Sequence, residues 1–91
     1  MEQFNEVAFN IVDWDRDADL GADNIHHNMR QFFVSRNYGL PQSIVVRPDQ
    51  AHTLMRDFKT YPPEDMYGFN KIEIPGVGLF TLIIVVREYK R

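Results

Sequence analysis

The segment LFTLIIVV, residues 79–86, does most to limit the folds open to this chain. Its β-branched and aromatic content predicts a strand. One side would then carry Leu79, Thr81, Ile83 and Val85, and the other Phe80, Leu82, Ile84 and Val86. Both sides are apolar, as in strands covered on two faces. The chain therefore has to bring two covering layers to this strand. Either its helices divide between the two sheet faces, or a second polypeptide shields one of them. Leaving an apolar face wet would invite association.

Ninety-one residues, 44% of them hydrophobic and 25% charged, suit one globular domain spanning 1–91 with a modest core. EVAFNIVDW at 6–14 alternates as a first strand, with Val7, Phe9 and Ile11 on its apolar side. A helix should follow from Asp23, its N-cap, with Ile25, Met29, Phe32, Phe33 and Arg36 at helical spacing and Gly39 as terminator. SIVVR at 43–47 reads as a short strand. RPDQAHTLMRDFKTY then reads as a second helix, with Pro48 at its first position and an Ala51, Leu54, Met55, Phe58 stripe. YPPEDMYGFN at 61–70 reads as a loop, because two prolines and Gly68 break both periodicities. KIEI and the 79–88 strand should form an antiparallel hairpin across Pro75-Gly76, which fit the central positions of a type II turn. The expected fold is α+β, a two-layer sandwich of a mixed four-stranded sheet and two helices, in the order β-α-β-α-β-β. An exposed patch of Val12, Val45 and half of the last strand is the expected consequence if both helices share one face.

Charge speaks against a nucleic-acid partner. The net charge is −3, where a phosphate binder normally carries a basic excess. Five aspartates and one arginine in residues 13–23 account for −4, which leaves the rest of the chain at +1. Asp13, Asp15, Asp17 and Asp19 alternate around Trp14, resembling the spacing of a calcium loop. A loop starting at Asp15 puts Gly21 at the seventh position where the sixth is needed, and His26 at the twelfth in place of glutamate. A start at Asp13 puts Ala18 and Asn24 at those two positions. No calcium site is expected. The tract suits a helix lead-in, or an acidic docking patch of Trp14, Asp15, Asp17 and Asp19 for a basic partner.

His26, His27 and His52 do not add up to the three or four ligands of a zinc site, and there is no cysteine. Ser35 and Ser43 lack a nucleophile-elbow context, and GVG is not a dinucleotide fingerprint. No metal, cofactor or catalytic residue is assigned, and a non-enzymatic role is expected. The loop's Tyr61, Met66, Tyr67 and Phe69 are residue types that interfaces favour, but the first expectation is that two of the aromatics lid the open end of the core. Ile83 and Ile84, facing opposite ways on the last strand, complete the interaction candidates. Missing cysteines favour the cytoplasm, no run is long enough to span a membrane, and MEQFNEVAF lacks signal-peptide character.

YGLPQSIVVRPDQAHTLMRDF, followed by IEIPGVGLFTLIIV, covers residues 38–86 and resembles a pattern in small tailed-phage proteins and phage capsid-subunit segments. The pattern joins a Pro-led apolar strand, a Pro-started helix and a strand entering through Gly-Val. The resemblance implies a phage-type interaction protein, a virion component or an inhibitor of a host protein, acting in the host cytoplasm or the virion. It carries no site residues. The sequence thus points to a protein-binding or assembly protein, as a homo-oligomer or with a protein partner. A small ligand- or metal-binding regulator built on Asp13–Asp23 is the alternative, and a small hydrolase comes last.

Overall fold

Both helices lie on the same side of the sheet. The computed structural model describes residues 7–86, with strands β1 (Phe9–Asn10), β2 (Ser43–Val46), β3 (Lys59–Tyr61), β4 (Lys71–Ile74) and β5 (Gly78–Ile84) and helices α1 (Ala22–Phe33) and α2 (Pro48–Asp57). The strands form one mixed sheet in the order β1-β2-β5-β4-β3. β1, β2 and β5 run parallel, β4 runs against β5, and β3 runs against β4. β3 therefore shares the direction of β1 and β2, and both α1 and α2 serve parallel crossovers. Both crossovers step the same way across the sheet, so the shared right-handed rule places their helices on one face.

The register confirms a one-sided core. Ile44 pairs with Leu82, and Ile72 with Phe80, so these side chains point the same way. Together with Phe9, Ile11, Val46 and Ile74 they meet Ile25, Met29 and Phe33 of α1 and Ala51 and Leu54 of α2 in one cluster. Burying a side chain such as Leu or Ile contributes about 1.5–3 kcal/mol, which is what holds the helices to this face.

Two expectations about the architecture are overturned. The sheet has five strands and is open, where a two-layer sandwich on four strands was expected. The extra strand, β3, takes residues 59–61 from the end of the expected second helix. Phe58 N–H closes α2 on Leu54 O at 2.9 Å, and Thr60 Oγ1 donates to Met55 O at 3.2 Å. The chain thus passes from helix to strand with no loop between. The helices also do not divide between the faces.

Smaller shifts concern helix ends. Gly21, in an extended conformation, is the N-cap of α1, and Asp23 sits in the first turn, where its charge favours the dipole. The terminator after α1 and its short 3₁₀ extension (Val34–Arg36) is Asn37, at φ 64°, and not Gly39. The Pro75-Gly76 turn is as expected, with Val77 N–H donating to Ile74 O at 2.9 Å and Gly76 at φ 78°. Glu6, at the start of the first expected strand, and Arg87 and Glu88, at the end of the last, lie outside the described residues.

Candidate functional site

With the helices on one side, no layer among the described residues lies on the second face of the sheet. Alternation and register place Val45, Ile83, Thr81, Leu79, Glu73, Lys71, Lys59 and Tyr61 there. Val45, Ile83 and Thr81 are half-buried by their neighbours alone, and Leu79 is 51% exposed. Covering on both sides of the last strand is therefore not supplied among the described residues. Ile84 lies on the core side, opposite Val46, yet is 38% exposed at the strand's end. Val12 is not part of this face, since β1 ends before it and the chain turns.

The 62–70 loop rises beside that face. Asp65 organises its tip, its Oδ1 accepting from Tyr67 N–H at 3.0 Å and its carbonyl from Gly68 N–H at 3.1 Å. A Cβ on Gly68 would stand 3.1 Å from the Pro63 Cβ, so a side chain there would have to push Pro63 back by a few tenths of an ångström. This turn holds Met66 at 82% and Tyr67 at 86% exposure, with Phe69 at 52%. None of the three is a lid on the core. Tyr61, at the loop's base, donates its hydroxyl to Glu73 Oε1 at 2.7 Å, and Lys59 Nζ stands 5.3 Å from its ring. Between loop and sheet lies a cavity of about 370 Å³, lined by Tyr61, Pro62, Glu64, Asp65, Phe69 and Leu79 among others. Tyr61 and Phe69 are thus brought together with Leu79, a residue the sequence reading had not singled out. Its signal was the cross-strand position opposite Glu73, which could be seen only once the register was known.

The acidic tract lies elsewhere. Because β1 and β3 are parallel, the loops that follow them emerge at the same end of the sheet. They leave from opposite edges, four strand spacings or roughly 19 Å apart. Asp13, Asp15, Asp17 and Asp19 are exposed. Asp19 Oδ1 accepts from Gly21 N–H at 2.8 Å, and its carbonyl accepts from Asn24 Nδ2 at 2.8 Å, which sets the entry to α1. Among the described residues no three His, Cys, Asp or Glu side chains converge as a cation would require. Trp14 packs edge-on against Phe9, with ring centroids 6.0 Å apart.

Arg47 and Gln50 tie this loop to α2. Arg47 Nη1 donates to the carbonyls of Val12 and, at 2.7 Å, of Trp14, while its Nε meets Asp49 Oδ1 at 2.9 Å. That hydrogen bond holds the Asp49 carboxyl below the ordinary carboxylate value. The clamp is structural, and its residue types at the start of a helix gave no sequence signal.

No helix among the described residues is long and apolar enough to cross a membrane. The uncovered face and the loop with Met66, Tyr67 and Phe69 are both open to solvent among the described residues. No family model, curated protein or solved structure matches this chain.

Proposed function

We propose that this chain is a protein-interaction or assembly protein, acting by binding and not by catalysis, through the helix-free face of its sheet and the adjoining 62–70 loop. The carrying observation is the sheet face left uncovered among the described residues, which carries Val45, Ile83 and Leu79; Leu79 shares a cavity with Phe69, and Met66 and Tyr67 stand exposed on the same loop. Apolar sheet faces are normally covered, and loop tyrosines and methionines give large contact area at low entropic cost. Lys59, Lys71 and Glu73 form a polar flank that would orient a partner. A phage virion component or an inhibitor of a host protein, as the 38–86 pattern suggests, would use such a surface.

A second copy is the first partner to test. Light-scattering mass over a concentration series should rise above that of one chain for the wild type. Ile83→Lys and Leu79→Lys should stay at one chain's mass while keeping wild-type circular dichroism. A wild type that holds one chain's mass at millimolar concentration would remove self-association from the proposal.

A further inference from the structure

The other edge of the sheet carries a groove of a different kind. β1 is an edge strand, paired only with β2 among the described residues. Ile11 N–H donates to Val45 O at 3.0 Å, so by alternation the backbone groups of Phe9 and Ile11 face β2. The N–H and C=O of Asn10 then face outward. Alongside this edge runs the flank of α1, and between them lies a cavity of about 360 Å³ lined by Phe9, Asn10, Trp14, Gln31, Phe32 and Arg36, among others. Phe32 is 41% exposed although it lies next to the core-facing Phe33. Arg36 is held in place, its guanidinium 4.1 Å above the Phe32 ring and its Nη1 donating to Phe32 O at 2.7 Å.

An unpaired strand edge beside a helix flank with aromatic anchors is the geometry in which an extended peptide adds as a further strand. Charge sets the direction. Asp13 and Asp15 flank Trp14, past the C-terminal end of β1. α1 runs back from there, and Arg36 lies fourteen residues beyond its first residue, about 20 Å away at the helical rise. We infer that this groove binds an extended peptide antiparallel to β1, with a basic residue near its N-terminal end and a carboxylate at its C-terminal end. The basic residue meets Asp13 and Asp15, the carboxylate meets Arg36, and the peptide backbone pairs with Asn10. This site uses neither the helix-free face nor the 62–70 loop, so it stands or falls apart from the interaction proposed above.

The probe is a seven-residue peptide of alternating Val and Thr with Arg first and Glu last, and its control has the two charged residues exchanged. Emission of Trp14, the chain's single tryptophan, reports binding. The wild type should bind the probe at least tenfold more tightly than the control. Asn10→Pro removes the outward N–H but leaves the β2 side of β1 intact, as prolines on edge strands do. It should weaken the probe at least tenfold. Arg36→Glu makes both ends of the groove acidic and should abolish the preference between the two peptides, and this readout holds even if the proline variant fails to fold. Equal binding of both peptides by the wild type, or no binding of either at millimolar concentration, would overturn the assignment. So would an Asn10→Pro-sensitive dimer without peptide, which would give the edge to a second copy.

Discussion

Gln50 Nε2 donates to the carbonyl of Ile11 at 2.8 Å, and Gln50 Oε1 accepts from Arg47 N–H at 2.8 Å. At 2% exposure Gln50 is the one buried polar residue among the described residues. One amide thereby satisfies the end of β1 and the start of α2 together. Replacing it with Ala removes one of two donors to the Ile11 carbonyl, which keeps Trp14 N–H at 3.1 Å, and takes away the side-chain acceptor of Arg47 N–H. The loss should be about 1–2 kcal/mol, seen as a melting point lower by roughly 5 °C or more. A Gln50→Ala variant melting within 2 °C of wild type would show that water replaces both bonds without penalty.

Arg47 completes the same clamp from the surface side. Arg47→Met should cost about 2 kcal/mol, since the Val12 and Trp14 carbonyls lose a charged donor. The loop around Trp14 should loosen, moving its emission to the red. The variant also has a pH signature. The Arg47 hydrogen bond lowers the Asp49 pKa from its ordinary 3.8, so its contribution is present above that value and is lost as pH falls through the folded value. The melting-point gap between wild type and Arg47→Met should therefore narrow below about pH 4. A constant gap across that window would separate Asp49 from the clamp.

Gly76 and Asn37 make opposite use of the left-handed region. Gly76 stands at φ 78° with nothing within 4 Å of a built Cβ, so Gly76→Ala should cost about 1–2 kcal/mol from backbone conformation alone. Asn37 already tolerates φ 64°, and Asn37→Gly should leave stability unchanged or raise it by up to about 1 kcal/mol. Denaturant midpoints at constant slope measure both.

For the acidic tract, Asp15→Asn and Asp17→Asn should leave the melting point unchanged, while Asp19→Ala should lower it by removing the acceptor for Gly21 N–H. Melts in excess calcium and in chelator should coincide. A rise of several degrees in calcium would restore a cation site at this loop.

Much of the fold could be read from the chain, and the gaps have physical causes. Alternation in KIEI and LFTLIIVV, together with Pro75-Gly76, specified the hairpin, because strand period and turn chemistry are local. Pro48 likewise marked the start of α2. Lys59–Tyr61 escaped because three residues are too few to show a period and follow the helix without a break. Asn37 was passed over for Gly39, since either residue can terminate a helix and only the backbone angle decides. The Gln50 and Arg47 bonds reach 39 and 35 residues back along the chain, and no local pattern encodes them. The site shows the same division. Tyr61, Met66, Tyr67 and Phe69 stood out by composition, whereas Leu79 joined them only through its register with Glu73.

The central claim, that the helix-free face is an interaction surface, can be measured at the methyl groups of Val45, Leu79 and Ile83. A soluble paramagnetic agent broadens the NMR signals of methyls open to solvent. In a concentrated sample these three should be protected, and they should become more accessible on dilution, Leu79 most of all, while Leu54 and Leu82 stay protected throughout. Equal broadening of Val45, Leu79 and Ile83 in dilute and concentrated samples would contradict coverage of this face by a second copy.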